Sequence, residues 1–284
     1  MGSRKWIQAA AALLQNANLG GFLNGTIYRG ASKSVCVPGL NCYSCPGALG
    51  SCPIGALQSL SLNKGLALSF YVYGFILLVG VSVGRVVCGF LCPFGFVQDL
   101  LHKIPLKKIR ENPFLKKLNS LKYVVLIALV VGIPTLLTQF GGVGVPAFCS
   151  WLCPAGTLSA GIPLAIANEQ IGGALGWLFV WRVAVLALLL LLSIKLFRPF
   201  CRFLCPLGAL YSLLNRYSIL HIRTDPSRCN GCGHCNRICP MHLESTDSPD
   251  CIRCGVCVKG CRTKAKGWSL NRRPETPAGV KVKM

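Results

Sequence analysis

Acidic side chains are scarce in this sequence: eight Asp and Glu stand among 284 residues, and charged residues of both signs make up 13%. With 52% hydrophobic residues and a mean hydropathy of +0.54, the chain is too apolar for an ordinary soluble domain and is expected in a membrane. Histidine is scarcer still. The four are His102, His221, His234 and His242; none lies in a long apolar run, so haem held by paired axial His inside a helix bundle is not expected. Lys and Arg are missing altogether from residues 141 to 173. The N-terminal stretch "RKWIQAAAALLQNANLGGFLNGTIY" lacks a small-residue cleavage site after a compact apolar core, so it is expected to stay as a membrane helix, an interfacial amphipathic helix being the alternative.

Basic charge, apolar runs and cysteine are plentiful. Three segments, roughly 66 to 87, 121 to 140 and 174 to 197, approach the roughly 20 residues a bilayer core demands, and a weaker one runs from about 6 to 28. Residues 88 to 120 carry Lys103, Lys107, Lys108, Arg110, Lys116 and Lys117. The positive-inside rule therefore puts that loop in the cytoplasm, the Lys- and Arg-free loop 141 to 173 outside, and residues 198 to 284 inside. Thirty Lys and Arg give a net charge of +22. Much of it flanks apolar segments as orientation signals do, so nucleic acid is not expected as a partner; anionic lipid and acidic electron carriers are.

Eighteen cysteines are too many for a chain of this kind unless they bind metal, because disulfide-dense chains are short, secreted and polar. Their arrangement repeats. "CPGALGSCPIGALQSL", "CGFLCPFGFVQDLL", "CSWLCPAGTLSAGI" and "CRFLCPLGALYSLL" place Cys-Pro-x-Gly at Cys52, Cys92, Cys153 and Cys205. On the topology above these alternate outside, inside, outside, inside, giving two parallel halves about a pseudo-twofold axis along the membrane normal.

"CNGCGHCNRICP" and "CIRCGVCVKGC" carry the C-x2-C-x2-C-x3-C run of bacterial two-cluster ferredoxins, in which the fourth cysteine of each run serves the other cluster. One [4Fe-4S] cluster is assigned to Cys229, Cys232, Cys235 and Cys261, the other to Cys251, Cys254, Cys257 and Cys239. The inner rim supplies Cys88, Cys92, Cys201 and Cys205, one C-x3-C from each half and together the four thiolates of a third cluster. The outer rim has six: Cys36, Cys42, Cys45, Cys52, Cys149 and Cys153. Symmetry pairs Cys149 and Cys153 with Cys52 and with either Cys42 or Cys45; the two left over could form a disulfide or bind the cluster as well. The cofactors expected are thus two clusters in the C-terminal module and one or two in the membrane part. Iron through these cysteines is the metal, and no catalytic residue is assigned.

Three further residues stand out. Arg182, mid-span, is a candidate counter-charge to a buried cluster. Asp99 and His102, just after the inner motif, are either proton acceptors from a quinol or part of a solvated loop. His234 is a surface or supporting residue.

The paired C-x3-CP motifs after spanning segments, together with the terminal ferredoxin runs, resemble the NapH-type and NosR-type polytopic membrane 4Fe-4S proteins over residues about 66 to 265. The chain adds to that pattern a third C-x3-CP at Cys149 and the stretch "CVPGLNCYSCPGALGSCP". The resemblance and the motifs lead to an α-helical polytopic membrane protein of about four spanning helices in two pseudo-repeated halves (1–215), a ferredoxin-like α+β module with two [4Fe-4S] clusters (216–265) and a basic tail (266–284). The expected function is electron transfer across the cytoplasmic membrane, from a cytoplasmic electron carrier or oxidoreductase subunit to an extracytoplasmic acceptor. The alternative is a quinol dehydrogenase subunit exchanging electrons with membrane quinone. An extracytoplasmic flavoprotein partner is implied by the resemblance alone.

Overall fold

The computed structural model describes residues 2–62, 66–109, 112–140, 145–168 and 176–270; most of the expected basic tail lies outside them. Two helices, Leu115–Thr138 and Trp177–Lys195, are long and apolar enough to cross a membrane, and their apolar windows are only 22% and 17% buried. A core helix of a soluble protein would be mostly covered, whereas here Ile127, Trp177, Leu188 and Leu191 face outward. The expected span over 66 to 87 is the shorter helix Leu66–Ser82, which gives way at Gly84, whose φ is +57°.

The N-terminal segment is not one spanning helix. Gly2–Gln15 stops at Asn16 to Asn18, and a short helix, Leu19–Asn24, follows. The break has a local cause and a distant one: Asn16 Nδ2 donates to Ala12 O and so competes with the helical ladder, while Asn18 Nδ2 donates to Pro46 O of another segment, each at 2.9 Å. The first helix is also inverted in polarity. Trp6, Leu13 and Leu14 are exposed, while Gln8 is buried.

That inversion is explained by what the polar face meets. The helix Val86–Phe90 is cut short by Pro93, and its last carbonyls lose their helical partners. Gln8 Nε2 donates to Gly89 O and Gln15 Nε2 to Leu91 O, both at 2.9 Å, while the Arg198 guanidinium takes Cys88 O. The second half mirrors the last contact: in the helix Pro199–Phe203, Cys201 O accepts from Arg85 Nη2 at 3.2 Å. Arg85 and Arg198 each stand three residues before the first cysteine of their own motif, and each reaches the first cysteine of the other half. Phe94 and Phe200 seal the same seam edge to face at 5.2 Å.

A third helix changes register to the same end. Between Leu121–Val125 and Ile133–Gln139 runs a π-helical turn, Leu126–Gly132. In that register the donor for Leu129 O would be residue 134, a proline without an N–H. Gln58 Nε2 fills the vacancy at 3.0 Å, and its Oε1 accepts from Cys149 N at 3.2 Å.

The C-terminal module is repeated within itself. Gly231 and Arg253, Gly233 and Gly255, and His242 and Lys264 all have positive φ, at matching places in the two cysteine runs. An antiparallel pair of strands, His221–Thr224 and Lys266–Ser269, closes it, so residues expected to begin the tail belong to the module. It sits on the membrane part through its second run: Asp250 bridges Arg85 and Lys122, Asn215 Nδ2 donates to Cys251 O at 3.0 Å, and Ile252 O lies so close to Gly89 that a Cβ there would come within 2.7 Å.

The buried Asp99 anchors the seam by accepting from Arg198 Nε and Nη2 at 2.6 Å and from Arg4 and Gln8 at 3.0 Å. Burial alone would raise its carboxyl, but Arg198, then Arg4 and Gln8, outweigh burial and hold it below the usual range. A depressed carboxylate stabilises the fold fully above its unfolded pKa, about 3.9, and loses that contribution as pH falls through the lower folded value. Asp99→Asn leaves Arg198 buried without its carboxylate and is expected to cost about 3–5 kcal/mol. Thermal unfolding in detergent, followed by circular dichroism, should show this loss at neutral pH and a smaller gap between variant and parent at the acid limit.

Candidate metal centres

The repeated Cys-Pro-x-Gly has a local logic. Cys153 and Cys205 are N-caps, Pro occupies the first helical position, and the glycine three residues on donates its N–H back to the cysteine sulfur, Gly156 N at 3.4 Å and Gly208 N at 3.3 Å. Gly55 and Gly95 make the same contact with Cys52 and Cys92. A sulfur at a helix N-terminus that receives an N–H is favoured as a thiolate, the form that ligates metal. Close approach also demands glycine. A Cβ on Gly95 would stand 3.2 Å from both Arg198 Nη1 and Cys88 O, and one on Gly208 would stand 3.1 Å from Cys201 O and 3.3 Å from Arg85 Nη2.

Cys88, Cys92, Cys201 and Cys205, expected together, are together. All four are buried and within electrostatic reach of one another. Burial, with Cys92 next, pushes the Cys201 thiol up to about 12. Gln98 Nε2 lies 3.2 Å from Cys201 Sγ.

The other membrane-side set is narrowed by the structure. Cys149 lies near Cys153, Cys52 and Cys42, and Cys153 near Cys42 and Cys52. A Cβ on Gly156 would sit 3.4 Å from Cys42 Sγ and 3.7 Å from Cys153 Sγ. Of the two alternatives it is thus Cys42 that joins Cys52, Cys149 and Cys153. Cys45 turns to Asn16 Oδ1 at 3.5 Å, and Cys36 to Ser51 Oγ at 3.9 Å. All eighteen cysteines are free, so the two left over are not joined by a disulfide. Burial pushes the Cys52 thiol up to about 11 and that of Cys153 up to about 12. Arg182 flanks this set, interacting with Cys42 and Cys149, and its Nε is buried without a partner.

In the module, Cys251 lies near Cys254, Cys239 and Cys257, the crossed grouping expected from the runs. Burial first, and then these thiols, push Cys251 up to about 12. A cavity of about 1270 Å³ is lined by Cys229, Cys232, Cys235 and Cys261, and a smaller one by Cys239, Cys251, Cys254 and Cys257, with Cys235 on its border as well. His234 begins the short helix His234–Arg237 and lines the larger cavity.

The donor chemistry fits iron–sulfur cores. Among the described residues, no three Cys, His, Asp or Glu close on one point as ligands of a single ion would; thiolates around a four-iron core stand farther apart. Buried thiols with raised pKa values stay protonated unless a cation replaces the proton, and cluster iron is such a cation.

Several residues of these sites escaped the reading of the sequence. Arg85, Arg198 and Gln98 have a legible signal, R-x2-C-x3-C-P with Gln six residues past the second cysteine, and Gln58 repeats the latter. Tyr211 occupies that position in the last motif. It is fully buried, donates to Pro38 O at 3.2 Å, and interacts with Cys88 and Cys92 of one set and Cys52 of the other. The loop 36–41, expected at the outer rim, therefore runs inward; a Cβ on Gly39 would come within 3.1 Å of Cys92 Cα. Asp99 is an ion-paired anchor, neither a free acceptor nor part of a solvated loop. His102 is half-buried with Nδ1 3.3 Å from Ser193 O, and burial, then Lys108, lowers its pKa.

Comparison with known proteins agrees with this chemistry. The family described as a 4Fe-4S binding domain matches residues 65–112, 123–163 and 177–224, each stretch containing one C-x3-CP. Two uncharacterized proteins of Methanocaldococcus jannaschii are similar, one 32% identical over 66% of this chain, the other 29% identical over 77%. The ferredoxin-type protein NapH of Haemophilus influenzae is 26% identical over 68% of this chain. The chain spans 65%, 86% and 65% of these relatives' lengths, respectively. No solved structure matches it. With C-x3-CP motifs that recur in step with the matched 4Fe-4S segments, the chain is similar to the ferredoxin-type 4Fe-4S proteins of the NapH and NosR type.

Proposed function

We propose that this iron–sulfur electron-transfer protein relays electrons across the cytoplasmic membrane, between a cytoplasmic donor and an extracytoplasmic acceptor, through four cysteine sets in series. The observation that carries the reading is that neighbouring sets lie within electrostatic reach of one another or of a residue between them. Cys257 interacts with Cys235, joining the two sets of the module. Arg198 interacts with Cys254 and also with Cys201 and Cys92, joining the module to the first membrane-side set. Tyr211 then links that set to Cys52 of the last. When bound, a [4Fe-4S] cluster supplies a one-electron site at each set.

The protein's own part is to hold these sites close and dry. The seam residues Phe94, Phe200 and Tyr211 exclude water between the halves. The glycine N–H groups, the buried Arg85 and Arg198 and the half-buried Arg182 offset negative charge at the sulfurs. A bilayer core is about 30 Å thick, and sets at two depths divide that span. The orientation rests on the basic loop 88 to 120 and on the absence of Lys and Arg from 141 to 173.

Two experiments test the proposal. Anaerobic analysis should find about sixteen irons per chain, and about twelve if one set is empty. Cys42→Ala should lose one cluster and Cys45→Ala none. Cys92→Ala and Cys205→Ala should remove the same EPR signal, with the double variant no worse than either single one; separate signals with additive losses would overturn the shared site.

In vesicles carrying the protein with its module outward, an impermeant reductant added outside should reduce an impermeant dye trapped within. Cys153→Ala should stop that transfer yet leave the module's clusters reducible. Undiminished transfer in the variant overturns the wire. Reduction of the module's clusters by added quinol, with no transfer to the dye, would favour the quinol dehydrogenase reading.

A further inference from the structure

Gln98 is fully buried, and its amide is held at both ends. Oε1 accepts the Phe200 N–H at 3.2 Å, and Nε2 stands 3.2 Å from Cys201 Sγ and 3.5 Å from Phe94 O. Only one orientation satisfies these partners. Turned over, the amide would set its NH2 against the Phe200 N–H and its oxygen against a thiolate and a carbonyl. The second half of the protein thus dictates which end of a first-half glutamine faces the sulfur.

The repeat makes the contact specific to this set. The corresponding Gln58 spends both ends on backbone, Leu129 O and Cys149 N, and the same position is Ser159 and Tyr211 in the other two motifs. Ser159 Oγ donates to Ala155 O at 2.7 Å and Tyr211 to Pro38 O at 3.2 Å. Among the described residues, Gln98 is the one at this position of the four motifs whose side chain donates to a cysteine sulfur.

Hydrogen bonds to cluster sulfurs are among the determinants of reduction potential, and a donor in a buried, low-dielectric site acts strongly. Reduction adds negative charge, which an N–H aimed at the sulfur stabilises more in the reduced than in the oxidised state. We propose that Gln98 is a positioning residue that raises the reduction potential of the Cys88, Cys92, Cys201 and Cys205 set. The inference rests on the reading that this set holds a cluster.

The test is an EPR-monitored redox titration of the full chain, purified anaerobically in detergent, as wild type, Gln98→Leu and Gln98→Glu. The signal to follow is the one that Cys205→Ala removes. Gln98→Leu should keep the iron and sulfide content while lowering that midpoint, and Gln98→Glu should lower it further by setting a carboxylate oxygen at the sulfur. The module's own signals should stay unmoved in both variants. An unshifted midpoint with full iron in Gln98→Leu overturns the proposal. Should Gln98→Leu lose the cluster, Gln98→Glu decides, since it still accepts from Phe200 N; an unshifted midpoint, or loss of the cluster there too, also overturns it. If the wild type lacks any signal sensitive to Cys205→Ala, the reading of the set as a cluster site has failed instead.

Discussion

Two buried guanidiniums hold the two halves of the protein together. Arg85 and Arg198 sit at equivalent places in the repeat, and each binds the main-chain oxygen of the first cysteine in the opposite half. A buried cation is tolerable only with a carboxylate and hydrogen bonds around it. Arg198 has Asp99, from the first half, and Arg85 has Asp250, from the module. Pairing, docking of the module and placement of four thiols are thus consequences of one arrangement of charge.

The same arrangement explains the unusual N-terminal helix. Breaking a helix at Cys-Pro exposes carbonyls that cannot stay bare in an apolar interior. Gln8 and Gln15 cover them in the first half, and Arg4 reaches Asp99 beside them. The helix therefore turns its polar face inward and its apolar face out, the reverse of a helix on a soluble protein. Pro134 and Gln58 repeat the device at the other set, where a carbonyl freed by a proline becomes the anchor for a cysteine turn.

Charge runs in one direction through this scheme. Every cysteine set on the membrane side has a buried or half-buried cation beside it, Arg85 and Arg198 at one and Arg182 at the other. Much of the excess of Lys and Arg is orientation signal at the surface, but these three act at the sulfurs. Their effect is to make negative charge tolerable where water is excluded.

The motifs themselves were legible in the sequence because their physics is local. Cys as N-cap, Pro at the first helical position and Gly donating to sulfur need only four consecutive residues, and the ferredoxin runs, with their repeated left-handed turns, are equally self-contained. The crossed grouping of Cys239 with Cys251, Cys254 and Cys257 followed from spacing for that reason. Cys42 against Cys45 could not be decided that way, since the two differ only in which faces Gly156 and Arg182 across a fold of more than one hundred residues of sequence. Nor could the inward path of residues 36–41, the split of the first helix or the anchoring role of Asp99, each of which is set by a partner from another segment. Local covalent geometry fixes what a cysteine turn can bind; which turns share one site is decided by buried charges and carbonyls that find their partners only when the halves close.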